Sequence, residues 1–196
     1  SELIPEFLDD VPIQRHVSKE SIMFMTEKSS FQTSFSSNSP NNHGFTAFRS
    51  EFDKWLATKA EEAGAELFPE QKVDDLIISD NVVSGIKIGT DEITSKLVIA
   101  ADGATSIIAK KAGLRNDFSP DLFSVGIKEV IELSENTIND RFGIRENNGA
   151  ALVCVGYPSK YVRGGAFIYT NKSSLSLGLV IEGIDLVSHK IQVASL

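Results

Sequence analysis

The chain has 196 residues, of which 41% are hydrophobic and 23% charged, which is the composition of an ordinary globular protein rather than a disordered one. Its 27 acidic and 19 basic residues give a formal net charge of −8, and no lysine- and arginine-rich run with interleaved aromatics occurs, so we expect no nucleic-acid partner. The single cysteine, Cys154, excludes an internal disulfide and a cysteine-rich metal site.

The start of the chain predicts that it is part of a longer protein. It begins Ser1-Glu2-Leu3-Ile4-Pro5, without an initiator methionine and without the basic and apolar regions of a signal peptide. No apolar run reaches the roughly 20 residues that span a bilayer. Because one thiol is compatible with a reducing compartment, we expect a cytoplasmic location, with membrane association of the longer protein left open.

The first third of the chain predicts three short strands and then one helix. Residues 13 to 17, 21 to 25 and 31 to 35 have the apolar patterns of strands. From Ser50 the apolar residues recur at helical spacing, with Ser50 and Asp53 as a capping box and Gly64 as the left-handed stop. We therefore predict a helix from residue 50 to about residue 63.

The middle of the chain predicts a β-meander followed by a buried strand. Residues 73 to 78, 82 to 88 and 92 to 94 are separated by turn-forming residues, which favours antiparallel pairing. The continuous apolar run Leu97 to Ala101 is typical of a strand buried on both faces. A short helix is predicted from Thr105 to Ala112, ending at Gly113.

The last third predicts β-structure with one polar helix. The helix is expected over residues 136 to 142. The strands are expected at residues 123 to 133, 150 to 157, 165 to 170 and 174 to 181.

Asp102 and Gly103 form the most informative local pattern. They follow the apolar run and precede a helix, at the edge of an α/β sheet where ligands bind. Gly103 would let the backbone approach a ligand, and the start of the helix would offer N–H groups to a phosphate. A turn without any ligand explains the dipeptide about equally well.

Arg49 is the second candidate. It ends the apolar segment Phe45 to Phe48 and precedes the helix, where its planar fork could bind a pyrophosphate. A solvated loop arginine is the simpler interpretation of this residue taken alone.

These segments together resemble a known family. In their order and spacing they look like the middle of an FAD-dependent enzyme of the glutathione-reductase-like superfamily, and most of all like the electron-transfer flavoprotein–quinone oxidoreductase and FixC group. The geranylgeranyl reductases are the next most similar. The segments that carry the resemblance are residues 49 to 56, 60 to 65, 73 to 76, 97 to 106, 125 to 133, 140 to 142, 164 to 171 and 174 to 180.

The resemblance implies an FAD site and its residues. Arg49 would approach the FAD pyrophosphate, Asp102 would lie near the same group, Gly103 would allow close approach, and the backbone at Val73 would lie near the adenine. The catalytic residues stay unknown, and no metal is implied. The implied partners are an electron-transfer flavoprotein or ferredoxin-like protein and a quinone or other small acceptor.

The departures from the family pattern limit what this chain is expected to do. Its glycines contain no G-x-G-x-x-G fingerprint, so we expect the longer parent to be the FAD-dependent enzyme and this chain to bind FAD weakly or not at all and to be inactive. Reduction of prenyl double bonds is one alternative function. A non-enzymatic binding module is another.

The expected fold is therefore α+β. A partial FAD-binding domain would cover residues 44–118, and a substrate-side domain with a mixed or antiparallel sheet would combine residues 11–43 with 119–196. Lys128 with Glu129 could face the flavin, although an exposed strand pair is the simpler interpretation. Tyr169 and Asn171 could line a substrate pocket. His16, His43 and His189 share no metal-ligand spacing.

Overall fold

The structure is a computed structural model, and it describes residues 4, 7–37, 44–160 and 162–190. The chain forms two compact units, one made of residues 1–64 with 120–196 and the other of residues 65–119. We call them the larger and the smaller unit. The assignment of residues 44–64 to an FAD-binding domain stays a prediction.

The secondary structure alternates between long strands and short helices. The helices are α1 Phe7–Asp10, α2 Arg49–Glu62, α3 Ile107–Lys111, α4 Glu135–Phe142 and α5 Gly183–Ser188, with 3-10 turns at Pro120–Leu122 and Tyr157–Ser159. The strands are β1 Ile13–Met25, β2 Ser30–Ser36, β3 Phe45–Ala47, β4 Asp75–Ser79, β5 Val82–Ile88, β6 Asp91–Thr94, β7 Ser124–Glu132, β8 Asn148–Gly156, β9 Gly164–Thr170 and β10 Ser174–Glu182.

The larger unit is built on one mixed sheet of seven strands. Its order is β2-β1-β8-β9-β10-β7, and β3 pairs with β1 beyond this path. Strands β1 and β8 are parallel, and the other pairs are antiparallel. The predicted combination of helices with a mixed or antiparallel sheet in this part of the chain is confirmed. The two strands predicted between residue 13 and residue 25 are in fact one continuous strand.

One face of this sheet is covered by α4. Ile138 is fully buried and packs with Ile144 and Ala150, and Leu175 contributes from β10. Ser134 caps the helix by accepting a hydrogen bond from the Thr137 N–H, and Gly143 ends it in the left-handed conformation with φ of 60°. The opposite face of the sheet carries the cavities described below.

Helix α2 differs from its prediction at its first turn. Phe48 is the N-cap and Arg49 is the first helical residue, so the predicted capping box of Ser50 and Asp53 is wrong. The Asp53 carboxylate instead pairs with Arg49 one turn earlier, because residues four apart lie on the same face of a helix. The predicted end is confirmed, since Gly64 follows with φ of 94°.

The apolar stripe of α2 packs within an aromatic cluster of the larger unit. Phe7 of α1 lies 5.4 Å from Trp55 and 5.8 Å from Phe45, measured between ring centroids, and Phe52 lies 5.7 Å from Trp55. Lys59 closes the cluster through an ion pair with Asp10 at 2.7 Å.

The smaller unit contains the predicted meander. Strands β4, β5 and β6 form an antiparallel sheet of three strands, with a register shift between Ile77 and Ile78. Gly85 lies at this irregularity, where a Cβ atom would overlap the carbonyl oxygen of Ile93, so only glycine allows the strands to come this close.

The predicted buried strand from Leu97 to Ala101 does not form. These residues have no strand pairing within the described residues, and the side chains of Leu97 and Ile99 are 74% and 81% exposed. A hydrophobic run becomes a strand only when a neighbouring strand satisfies its N–H and C=O groups. The prediction of a buried strand is therefore wrong for this chain.

Candidate functional site

A cavity in the smaller unit brings together two of the predicted site residues. Val73 and Asp102 both line a cavity of about 560 Å³, between the segment before β4 and the extended segment that ends at Asp102. The lining is mostly apolar, and its members are Gln71, Lys72, Val73, Ile86, Val98, Ile99, Ala100, Ala101, Asp102, Thr105, Ile107 and Ile108.

The Asp102 carboxylate organises the turn that leads into α3. One of its oxygens accepts a hydrogen bond from the Ser106 hydroxyl, and the other accepts one from the Ile108 N–H at 3.2 Å. Ser106 in turn accepts a hydrogen bond from the Ala109 N–H at 2.9 Å. The expectation that the start of this helix offers free N–H groups to a phosphate is therefore wrong for Ile108 and Ala109.

These contacts favour the ionised form of Asp102. The hydrogen bond from Ser106 is the largest influence and holds the pKa of the Asp102 carboxyl below its ordinary value. Desolvation opposes this effect, and the hydrogen bond from the Ile108 N–H adds to the lowering. The side chain is thus an anion that fixes the geometry of residues 102 to 109.

Gly103 adopts a backbone conformation that favours glycine. Its φ is 81°, and a Cβ atom placed there would meet nothing within 4 Å. The position is therefore open to an approaching molecule, and its conformation would be strained with any other residue.

Arg49 lies in the larger unit, on the first turn of α2. Its side chain is 81% exposed, and its Nε donates to the Asp53 carboxylate at 2.7 Å. The hydrogen bond that Arg49 donates to the Asp53 carboxylate raises the pKa of the Arg49 guanidinium above its ordinary value. Asp102 belongs to the smaller unit, and the convergence of Arg49 and Asp102 on one diphosphate stays a prediction.

A second cavity lies on the sheet face opposite α4 and encloses about 420 Å³. Tyr169, Asn171 and Lys128, which the sequence suggested for a pocket or a flavin-facing position, all line it, together with Glu20. Sequence reasoning did not single out Glu20, because it lies in the middle of a strand with no motif around it.

An adjoining cavity of about 670 Å³ continues along the same face toward the edge strand β2. It shares Glu20, Ala151 and Tyr169 with the cavity of about 420 Å³. Its other walls include Ile22 and Phe35, whose side chains are 46% and 69% exposed.

The structure gives no sign of a membrane-spanning helix or a metal cluster in the residues it describes. None of the described helices has the length and apolar character needed to cross a bilayer. Within the same ranges, no three His, Cys, Asp or Glu side chains are arranged to hold a metal ion, and His43 lies outside them.

Curated proteins with a similar sequence carry the names expected from the motifs. FixC of Escherichia coli K12 is 42% identical over 181 residues, which are 91% of this chain and 42% of that protein. YdiS of the same organism, named a probable electron transfer flavoprotein-quinone oxidoreductase, is 40% identical over 190 residues, which are 95% of this chain and 44% of YdiS. YgcN, which carries the same description, is 35% identical over all 196 residues and 46% of its own length.

Solved structures show a similar fold at low sequence identity. The flavin-dependent brominase Bmp2 superposes with a TM-score of 0.57 at 19% identity, over 90% of this chain and 45% of Bmp2. The halogenase PltM, solved in complex with phloroglucinol and FAD, superposes with a TM-score of 0.63 at 14% identity, over 92% of this chain and 38% of PltM. At these identities the likeness concerns the fold alone.

The matches cover nearly all of this chain but less than half of each similar protein. No protein-family model matches the chain. The chain spans less than half the length of the curated relatives described above. Along at least nine-tenths of its own length it is similar to FixC and to the probable electron-transfer flavoprotein–quinone oxidoreductases, which confirms the resemblance drawn from its motifs.

Proposed function

We propose that the chain is part of an FAD-dependent oxidoreductase that passes electrons from an electron-transfer flavoprotein-type donor to a quinone or ferredoxin-like acceptor. The flavin would be the redox centre, and the protein would position it and shape its electrostatic surroundings. The names of the similar proteins support this assignment, and the fold likeness to flavin-dependent enzymes is consistent with it.

The cavity of the smaller unit is the observation that carries the proposal. Val73 and Asp102, selected from the motifs for the adenine and diphosphate parts of FAD, line the same cavity although they lie far apart in the chain. The apolar walls of this cavity suit a flat base, and the open position at Gly103 suits close approach of a phosphate to the backbone.

The residues present account for only part of an FAD site. Val73 would lie beside the adenine, and Asp102 would orient water or the turn next to the diphosphate. Arg49 would supply the positive charge for the same group, after exchanging or sharing its contact with Asp53. No glycine fingerprint for the diphosphate occurs in the 196 residues, so we propose that tight FAD binding needs residues beyond this chain.

Flavin content tests this proposal directly. We expect the protein expressed from its complete gene to retain about one FAD per chain after desalting, measured by visible absorbance after heat release. The isolated 196-residue chain, mixed with excess FAD and desalted in the same way, is expected to retain little. A complete protein that purifies without flavin, and does not take it up when FAD is added, would contradict the proposed function.

A further inference from the structure

We propose that Arg115 is a positioning residue of the candidate FAD site, because its guanidinium fixes the backbone of the turn from Asp102 to Ser106. This inference rests on the proposed function for the identity of the ligand, which is the diphosphate of FAD. The contacts that support it lie entirely within the smaller unit.

The Arg115 guanidinium binds two backbone carbonyl groups of the turn. Its Nη1 donates to the Ala104 oxygen at 3.0 Å, while its Nε and Nη2 both donate to the Ser106 oxygen, at 3.2 Å and 3.1 Å. Because the donors of a guanidinium form a rigid planar fork, the two acceptors are held in a fixed arrangement. A single side chain therefore orients two peptide units of the turn.

The chain returns to the turn because α3 ends on a glycine. Gly113 has φ of 72°, and the Leu114 N–H that follows donates to the Ala109 carbonyl at 3.0 Å. This is the left-handed helix end that glycine favours. It brings Arg115 to Ser106 across the whole helix. Since a helix of five residues is too short to be stable by itself, the contact joins and stabilises its two ends.

An aromatic ring keeps the guanidinium in place. The Arg115 Cζ atom lies 4.2 Å from the centroid of the Phe118 ring, which is a cation–π contact. An ion pair between Lys110 of α3 and Asp117 fixes the chain next to this ring. Arg115 thus has partners for the face and for the edge of its guanidinium, so less side-chain entropy is lost for each hydrogen bond to the turn.

The contact with Ala104 also orients an N–H group that a ligand can use. In a trans peptide the N–H points away from the carbonyl oxygen of the same unit, so the Thr105 N–H is turned away from Arg115. Within the described residues this N–H has no hydrogen-bond partner, and Thr105 lines the same cavity as Asp102. Backbone N–H groups of turns are donors for phosphate oxygens. Arg115 would therefore present the Thr105 N–H to the diphosphate.

Titration of the flavin-free complete protein with FAD, followed by fluorescence, tests the inference. Arg115→Ala is expected to weaken FAD binding about tenfold, because the turn loses two of its fixed carbonyl groups. Lys96→Ala is the matched control, since it removes one positive charge from an exposed residue of the same unit, and it is expected to leave the affinity unchanged.

Chemical rescue distinguishes positioning from general loss of structure. Methylguanidinium supplies the missing planar fork and is expected to restore most of the FAD affinity of Arg115→Ala, whereas sodium chloride at the same ionic strength is expected to restore none. Arg115→Lys keeps the charge but not the fork. Its affinity is therefore expected to lie nearer to that of Arg115→Ala than to that of the parent protein.

Amide hydrogen exchange, followed by mass spectrometry, measures the turn without any FAD. The N–H groups of Ile108 and Ala109 donate to the Asp102 carboxylate and the Ser106 hydroxyl. In Arg115→Ala they are expected to exchange about tenfold faster, because the turn opens more often. The paired strands β4 and β5 should keep their exchange rates, which checks that the variant is folded.

Three results would overturn the inference and leave the proposed function standing. These are an unchanged FAD affinity of Arg115→Ala, full recovery of the affinity in Arg115→Lys, and unchanged exchange of the Ile108 and Ala109 amides. A parent protein that takes up no FAD would instead refute the proposed function and the inference together, so the parent protein distinguishes the two failures.

Discussion

Replacing Arg15 by methionine is expected to lower the free energy of unfolding of the larger unit by about 3–5 kcal/mol, the range found when one partner of a buried charged network is removed. Arg15 is 1% exposed. Its guanidinium donates to the carbonyl oxygens of Asn171 at 2.8 Å and Asn148 at 2.9 Å, and to Oδ1 of Asn139 at 2.7 Å. Methionine fills a similar volume but leaves these buried acceptors without a donor.

The contacts of Arg15 explain why the loss would affect the whole unit. They join β1 to the start of β8, to the turn between β9 and β10 and, through Asn139, to α4. Glu135 adds an ion pair at 3.6 Å. Burial lowers the pKa of the Arg15 guanidinium, and the charge of Glu135 opposes this effect. The guanidinium is protonated at neutral pH because the ordinary pKa of arginine lies far above 7.

Urea denaturation followed by tryptophan fluorescence measures this effect. Trp55 is the single tryptophan of the chain and belongs to the larger unit, so its emission reports on that unit. Arg141→Met is the matched control, because Arg141 is exposed and makes no ion pair with any residue in the described part of the chain. Equal midpoints for Arg15→Met and the parent chain would show that the network contributes nothing.

Gly178→Ala is the second substitution with a large expected effect. The added methyl group would overlap the Phe167 ring and lie 2.7 Å from the carbonyl oxygen of Ile127. Overpacking of this kind lowers the free energy of unfolding by about 1–3 kcal/mol. To remove the overlap with the added methyl group, the Phe167 ring must leave its place across β10. We therefore expect a lower urea midpoint. We also expect a changed near-ultraviolet circular dichroism signal from the stacked rings of Phe167 and Tyr169, whose centroids lie 4.9 Å apart.

The neighbouring strand supplies a control for Gly178→Ala. At Gly126 an added methyl group would lie 3.7 Å from the nearest side-chain atom of Val180, which is an ordinary contact. Gly126→Ala should change neither the midpoint nor the aromatic signal by a comparable amount. If both variants behave alike, the position of Phe167 does not depend on the missing Cβ atom of Gly178.

The sequence predicted most of the secondary structure because apolar periodicity is a local property. Helix α2, helix α4 and the four strands of the last third lie within about two residues of their predicted positions. The run Leu97 to Ala101 shows the limit of this reasoning, since its pattern indicates burial but cannot say whether a partner strand is present.

The candidate sites were predictable to different degrees. Asp102 was selected because a motif surrounds it, and its four-residue spacing to Ser106 could also have predicted their hydrogen bond. Arg15 and Glu20 carry no such signal. Their roles come from contacts with residues far along the chain, brought close only by the parallel pairing of β1 with β8, and a single sequence does not reveal that pairing.

We propose from the family resemblance that Arg49 and Asp102 act on one FAD diphosphate, and a double-mutant cycle on FAD binding by the complete protein tests this proposal most directly. Arg49→Ala is expected to weaken FAD binding about 10- to 100-fold, as for a lost charged hydrogen bond. Combined with Asp102→Asn, which keeps an acceptor oxygen for Ser106, it should show a coupling energy of at least about 0.5 kcal/mol. Fluorescence titration with FAD gives the four affinities, and a Lys54→Ala and Asp102→Asn cycle serves as the control. Strict additivity of Arg49→Ala and Asp102→Asn would contradict the claim.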